Sequence, residues 1–305
     1  MSGLISIILL FSVMSCQGQE PNLSYRLKQG NRYSLDISVQ QNTFSENSTR
    51  ENEVSLDLKM IIHFDIISQT GHDTYIAEAR YDNIFLSMFA PAMKIDLNSK
   101  AGKNSMLGAM IDSLEKKSFK IQLNGDGSFI MYGDINKFFY DMYDFDISGE
   151  EERDVIIKTL KEAFGNNAFQ SICNIFINIY PSLPGMKHWE KEFTYYFNTK
   201  PVKMINRFFL MKQTDNQLTI QGLGMISAEE YFMESRNNTT YSSSATGSQT
   251  YDLLIDPETG WLKSAASRQR ILIKTTIIKD SQLPSGLAIP SYTETTFNIK
   301  GKIEN

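Results

Sequence analysis

Three histidines, two cysteines and one acidic run are the residues of this chain whose types could do chemistry. A histidine works as a general base only when a partner orients it within reach of a substrate. His63 stands in the apolar run Ile61-Ile62-His63-Phe64, a packed or sheet-edge position. His72 precedes Asp73 in a turn-rich stretch, and adjacency in sequence does not make a dyad. His188-Trp189-Glu190 is the most suggestive triplet, but Trp189 reads as a packing anchor at the start of a strand. Cys173 lies on the helical stripe Phe169, Ile172, Cys173, Phe176 with no histidine near it in sequence, and reads as a small buried hydrophobe. The acidic residues between 141 and 154 do not have the spacing of a Ca²⁺ loop. Ser148 and Glu151 among them fit a helix capping box. No Gly-x-Ser-x-Gly elbow, His-Glu-x-x-His, Cys-x-x-Cys or phosphate-cradling loop occurs. The sequence therefore predicts no catalytic residue, no metal site and no cofactor, with a hydrolase of unrecognised site as the remote alternative.

The address is clearer than the chemistry. Residues 4–14 form an apolar run of signal-peptide length, followed by Ser15, Cys16 and an abruptly polar spacer. This order resembles a bacterial lipoprotein signal, in which Cys16 becomes the lipidated first residue of the mature chain. The alternative is a secretory signal cut after Gly18, giving a soluble periplasmic protein. Either way residues 1–15 are an address and 16–23 a tether. No later apolar run is long enough to span a membrane as a helix. A net charge of −5 and the lack of a basic stripe argue against nucleic acid as a partner.

The elements that would carry any site are organised around two hairpins. In the first, Phe119, Ile121 and Leu123 alternate, Asn124-Gly125-Asp126-Gly127-Ser128 turns the chain, and Phe129 resumes the strand. In the second, Tyr251, Leu253 and Ile255 alternate, Asp256-Pro257-Glu258-Thr259-Gly260 turns, and Trp261 follows. Pro257 presets φ and Gly260 permits φ above zero, so Trp261 should anchor the returning strand by packing. Strand-like alternation precedes each hairpin, and Gly185 to Trp189 echoes Gly30 to Tyr33. Helical stripes are predicted over 99–117, 133–145, 155–164 and 169–180. The Ser/Thr/Asn-rich residues 235–249 read as a solvated loop. The expected fold is α+β: two related antiparallel β-modules, curved sheets or half-barrels, at 24–133 and 185–305, with a helical segment at 134–184 between and covering them.

The Tyr-x-Leu-x-x-Gly-x-x-Tyr opening at residues 25–33, the Pro-x-x-Pro-Gly…Trp block at 181–189 and the Asp-x-x-x-Gly-Trp turn at 256–261 carry a resemblance. Together they resemble an uncharacterised family of exported Bacteroidota proteins, often described as lipoproteins. The resemblance implies a compartment and an architecture similar to the curved sheets of bacterial lipoprotein carriers; it implies no activity. With 19 Phe, 14 Tyr and 14 Met, the chain has more large adaptable apolar side chains than an average core needs. This points to a non-enzymatic envelope protein binding lipid or another apolar or amphipathic ligand in a sheet/helix concavity. The alternative is an envelope scaffold with no small ligand. If Cys16 carries a lipid anchor, Cys16→Ala moves the protein from the membrane to the soluble fraction of fractionated cells; unchanged membrane association refutes the anchor.

Overall fold

The structure, a computed structural model, describes residues 23–304 except 46–53, 91–92, 99–105, 145–149, 198–199, 215, 237–238, 281 and 283. The signal segment, Cys16 and the Ser148 cap lie outside the described residues. Among the described residues twelve strands and three α-helices follow in chain order. They are β1 (Arg32–Ser45), β2 (Val54–Thr70), β3 (Thr74–Ala90), β4 (Met93–Asn98), α1 (Met106–Glu115), β5 (Ser118–Asn124) and β6 (Phe129–Met131). Then come α2 (Glu150–Phe164), α3 (Asn166–Phe176), β7 (His188–Phe197), β8 (Lys200–Thr214), β9 (Gln217–Arg236), β10 (Thr239–Ile255), β11 (Leu262–Lys279) and β12 (Ala288–Glu304).

The strands make one sheet in the order β6-β5-β3-β2-β1-β12-β11-β10-β9-β8-β7, with β4 paired to β3 off this path. Every pairing is antiparallel. This overturns the expectation of an α+β fold with two modules and a covering helical segment. The physical reason is β12. It pairs with β1 on one side (Ile37 opposite Ile299) and with β11 on the other (Ala265 opposite Ile299). Two separate modules would each leave an edge of unpaired backbone groups there, and the last strand removes both.

Two local expectations also fail. Residues 239–249 belong to β10 and are not a loop. A Ser/Thr-rich segment has few large apolar side chains to bury, but its backbone groups pair with β9 and β11 on both sides, and that pairing decides its conformation. The stripe at 133–145 forms two short 3₁₀ helices, Ile135–Phe139 and Asp141–Asp144, in place of one α-helix.

The two halves share a register. Tyr33, Phe64, Ala79 and Phe119 face one another in a row across β1, β2, β3 and β5. Trp189, Phe208, Gly222 and Tyr251 do the same across β7, β8, β9 and β10. A bulge follows Ile66 in the first half and Leu210 in the second. Ile66 N–H donates to Asn31 O, and Leu210 N–H donates to Lys187 O. Both hairpins are antiparallel, β5–β6 at one sheet edge and β10–β11 in the interior.

The sheet is strongly curled. Phe169 of α3 packs on Phe119 of β5 (4.8 Å between centroids), and Phe176 of α3 packs on Tyr251 of β10 (6.5 Å). Seven residues of helix span about 10 Å. The six strand spacings from β5 to β10 would span about 29 Å if flat. Only a sheet wrapped around α3 satisfies both. The concave side is accordingly the apolar one, and Ile157, Leu160 and Phe164 of α2 and Met110, Ile111 and Leu114 of α1 are buried in the same core.

One end of the curl is sealed by a clasp. Tyr25 N–H donates to Gly125 O in the first hairpin turn, and Arg26 N–H donates to Thr259 O in the second, each at 2.8 Å. Both turns need glycine for this. At Gly127 (φ +83°) a Cβ would stand 2.0 Å from Ile177 O, and at Gly260 (φ +73°) 2.3 Å from Ser24 O. Tyr25 donates its hydroxyl to Ile177 O, Tyr180 to Gly260 O, and the Trp189 indole to Ile179 O. Trp261 is fully buried among Tyr25, Tyr33 and Phe64, with its indole N–H directed at Ser34 O. Trp261→Ala is expected to destabilise the fold by about 3–5 kcal/mol, read in urea denaturation; wild-type stability would refute a structural role for this ring.

Candidate functional site

The residues singled out for chemistry are dispersed. His63 is buried on β2, with Nε2 3.1 Å from Asp82 Oδ2 across the strand pair. His72 is exposed in the β2–β3 turn, where the Asp73 carboxylate raises its pKa. His188 is exposed at the start of β7. Cys173 is free and buried on α3, and burial pushes its thiol far above the ordinary range, which leaves it inert at neutral pH. Among the described residues no cluster of His, Cys, Asp and Glu could hold a metal ion. The turn residues Asn124, Gly125, Gly127, Asp256, Pro257 and Gly260 belong to the clasped end; Phe129 packs on Phe169, and Trp189 stacks on Phe208.

A different set comes together on the concave face. Following the register from β7 to β1, Lys191 faces Asn206, then Gly224, Gln249, Gln269, Thr295 and Gln41. This is one transverse row of polar side chains on an otherwise apolar surface. Asn206, Gln249, Gln269 and Thr295 are buried. The neighbouring row on the clasped side is aromatic: Trp189, Phe208, Tyr251 and Phe297, with Gly222 and Ser267 between them. The row on the other side carries Met204, Ile226 and Ile271.

Much of the row is internally bonded. Gln269 Nε2 donates to Gln249 Oε1 at 2.9 Å, and Gln249 Nε2 donates to Ser267 Oγ at 2.7 Å. Tyr195 of β7 donates its hydroxyl to Gln269 Oε1 of β11 at 3.2 Å. Four flat strand spacings would put those strands about 19 Å apart. The curl brings the edge strand over the wall, and burial raises the Tyr195 phenol to about 12.

Asn206 and Tyr251 are the exception. Both are buried, and neither the amide atoms of Asn206 nor the Tyr251 hydroxyl meets a partner with hydrogen-bond geometry. They lie side by side. Burial drives the Tyr251 phenol well above its ordinary value, and the adjacent Asn206 amide opposes this. A Cβ on Gly224 would stand 2.5 Å from Asn206 Oδ1, so the bare backbone of β9 is what lets Asn206 lie there.

A family model matches residues 72–262, more than half of the chain. The chain belongs to a family of unknown function (DUF6263). The DUF6263 match includes both hairpin turns and the row from Lys191 to Gln249, and leaves Gln41, Gln269 and Thr295 outside it. No curated protein matches the chain in sequence. Among solved structures, one of lipovitellin, described by its lipid–protein interactions, is 13% identical with a TM-score of 0.47. That likeness covers 92% of this chain and 26% of the lipovitellin chain, so this chain spans about a quarter of it. An outer membrane channel from Pseudomonas putida F1 is 6% identical over 91% of this chain and 97% of its own, with a TM-score of 0.20. At these TM-scores the likenesses assign no residue a role.

The row ends where the sheet edges meet. Lys191 Nζ reaches Asp126 Oδ2 and Asp126 O, each at 3.2 Å, and Asn178 Oδ1 at 2.8 Å. Its three donors are thereby engaged. Burial alone would raise the Asp126 carboxyl, but hydrogen bonds from Ser128 and the Lys191 charge hold it below the usual range. Burial pulls the Lys191 ammonium down, so its charge costs stability that Asp126 and Asn178 offset. A depressed carboxylate pKa contributes stability above its unfolded value, lost as pH falls through the folded value. Asp126→Asn should therefore lower stability at pH 7 by about 1–3 kcal/mol, with the deficit shrinking below about pH 4. Urea denaturation at pH 7 and pH 3 measures this, and an equal deficit at both would refute the charge-based closure.

Proposed function

We propose that this protein is a non-enzymatic, exported protein of the cell envelope that holds an amphipathic ligand inside its curled sheet. Asn206 and Tyr251 carry this reading. A buried polar group without a partner costs about 1–3 kcal/mol, and these are two such groups side by side in a wall whose other amides are bonded. A ligand's polar group would supply the missing bonds, with its apolar part lying along Met204, Ile226, Ile271 and Ile273. Farther along the strands the concave face is less covered: Thr43, Val54, Ser243, Ile273, Thr275 and Ser291 are only half-buried. That end, opposite the clasp, offers the way in. Lipid or another apolar molecule is the partner in this reading, with no metal or cofactor. A lipid anchor at Cys16 would place the protein on a membrane, and cleavage after Gly18 would leave it soluble in the periplasm.

A second reading, an envelope scaffold, draws on the convex face. Phe209, Met211, Leu223 and Met225 are exposed there on the adjacent strands β8 and β9. Exposed apolar side chains grouped in this way, with Arg207 and Gln221 among them, suit contact with another protein.

Tyr251→Phe separates the two, because it removes the unpaired hydroxyl and keeps the ring. On the ligand reading the variant gains about 1 kcal/mol of stability in the ligand-free state and loses bound material. Native mass spectrometry of protein isolated from membranes should then show a bound lipid-like mass in the wild type and less in the variant. A lower-melting variant, or wild-type protein that is bare after such isolation, would overturn the ligand reading.

A further inference from the structure

Resting on the ligand-binding reading, we infer that the site selects a lipid-like molecule with an uncharged head, such as a hydroxyl or an ester-linked glycerol, over carboxylate and phosphate heads. The head lies against Asn206 and Tyr251 and the acyl chain runs toward the less covered end of the sheet.

The chemistry of the wall sets this preference. In the aromatic, polar and aliphatic rows around Asn206 and Tyr251, from β8 to β1, every side chain is apolar, a hydroxyl or an amide; none carries a charge. The one cation in the row, Lys191, is held by Asp126 and Asn178, with a carboxylate already beside it. An anionic head placed at Asn206 would lose its hydration and gain no counter-charge, a loss that neutral dipoles do not offset. An uncharged head has no such cost. The Asn206 amide offers a donor and an acceptor, and the Tyr251 hydroxyl can act as either. That set complements a hydroxyl, which itself donates and accepts, or an ester carbonyl together with a neighbouring hydroxyl.

The placement is fixed by packing. Tyr251 is held between Gly222, where a Cβ would stand 2.9 Å from its ring, and Phe176, which meets it edge-on. Phe208 packs on the same ring at 5.7 Å, and Trp189 stacks on Phe208. The aromatic row thus closes the site on the clasped side and leaves the acyl chain only the aliphatic direction, past Ile226 and Ile271. Asn206 lies over the bare backbone of Gly224, level with Gln249.

The test uses delipidated mature protein and the neutral fluorescent probe N-phenyl-1-naphthylamine. Monopalmitoylglycerol, palmitate and hexadecyl phosphate, which share one chain length, compete for it at pH 8 below their micellar concentrations. Monopalmitoylglycerol is expected to displace the probe at a concentration lower by about tenfold or more than either anion. Asn206→Leu and the near-isosteric Tyr251→Phe should each reduce that preference to about threefold or less, measured against each variant's own probe affinity. Equal or stronger displacement by palmitate or hexadecyl phosphate overturns the neutral-head assignment and leaves the ligand-binding reading intact. A preference unchanged in both folded variants moves the head away from Asn206 and Tyr251 and overturns it as well. Failure of the wild type to bind the probe or any of the three lipids overturns both.

Discussion

The fold depends on two hairpin turns meeting on one short piece of backbone. Gly125 O and Thr259 O accept from the successive N–H groups of Tyr25 and Arg26, so one strand-like segment ties the edge hairpin to the interior hairpin. These turns lie far apart along the strand order, and only a curled sheet lets both reach residues 24–26. Trp261, Tyr25, Tyr33 and Phe64 fill the space inside that ring, and Tyr180 ties the α3–β7 connection to it. Glycine at 127 and 260 is a condition of the contact, because any side chain would stand inside a backbone carbonyl.

Closing one end of a curled sheet has consequences for the other strands. The edge strand β7 is brought near α3, where Tyr196 N–H donates to Ser171 Oγ and Asn174 Nδ2 donates to Thr194 O. Edge groups that would otherwise invite another chain are thereby occupied. The opposite edge is blunted by the three residues of β6. Curvature also turns a polar row into an interior. On a flat sheet Gln249, Gln269 and Asn206 would be ordinary solvated side chains. Here they are buried, and their bonding becomes obligatory. Such a row can fix register as well as recognise a ligand, and Gln249–Gln269–Ser267 is fully used in the first way. Asn206 and Tyr251 are not, which is why function is sought there.

The hairpins were legible because their signals are local. Phe119, Ile121 and Leu123 alternate before a Gly/Asn/Asp turn, and Asp256 to Gly260 makes its own turn through the Asp256 carboxylate, which accepts from Thr259 N–H and hydroxyl. Helix α3 and the burial of Cys173 followed from a 3.6-residue stripe in the same way. The polar row was not legible. Gln249 sits in a stretch whose composition reads as loop, and Gln269 sits two residues from Ser267 and Ile271 in a strand of mixed character. The available clue was parity: Gln249 occupies the same alternation as Tyr251 and Leu253, an amide on the apolar side of a strand. Parity alone cannot say that the amides of four strands line up.

By itself the sequence determined where the two hairpin turns and helix α3 form, and that Trp261 must pack, since alternation, glycine conformation and ring area act within a few residues. Tertiary structure alone decided that the two halves are one sheet and that the Ser/Thr-rich segment is a strand. It alone decided that Lys191 meets Asp126, and that Asn206 and Tyr251 lie buried together. Each of these depends on which strand lies beside which and on how far the sheet curls. Those are set by backbone pairing and packing summed over the whole chain, and no short stretch of residues encodes them.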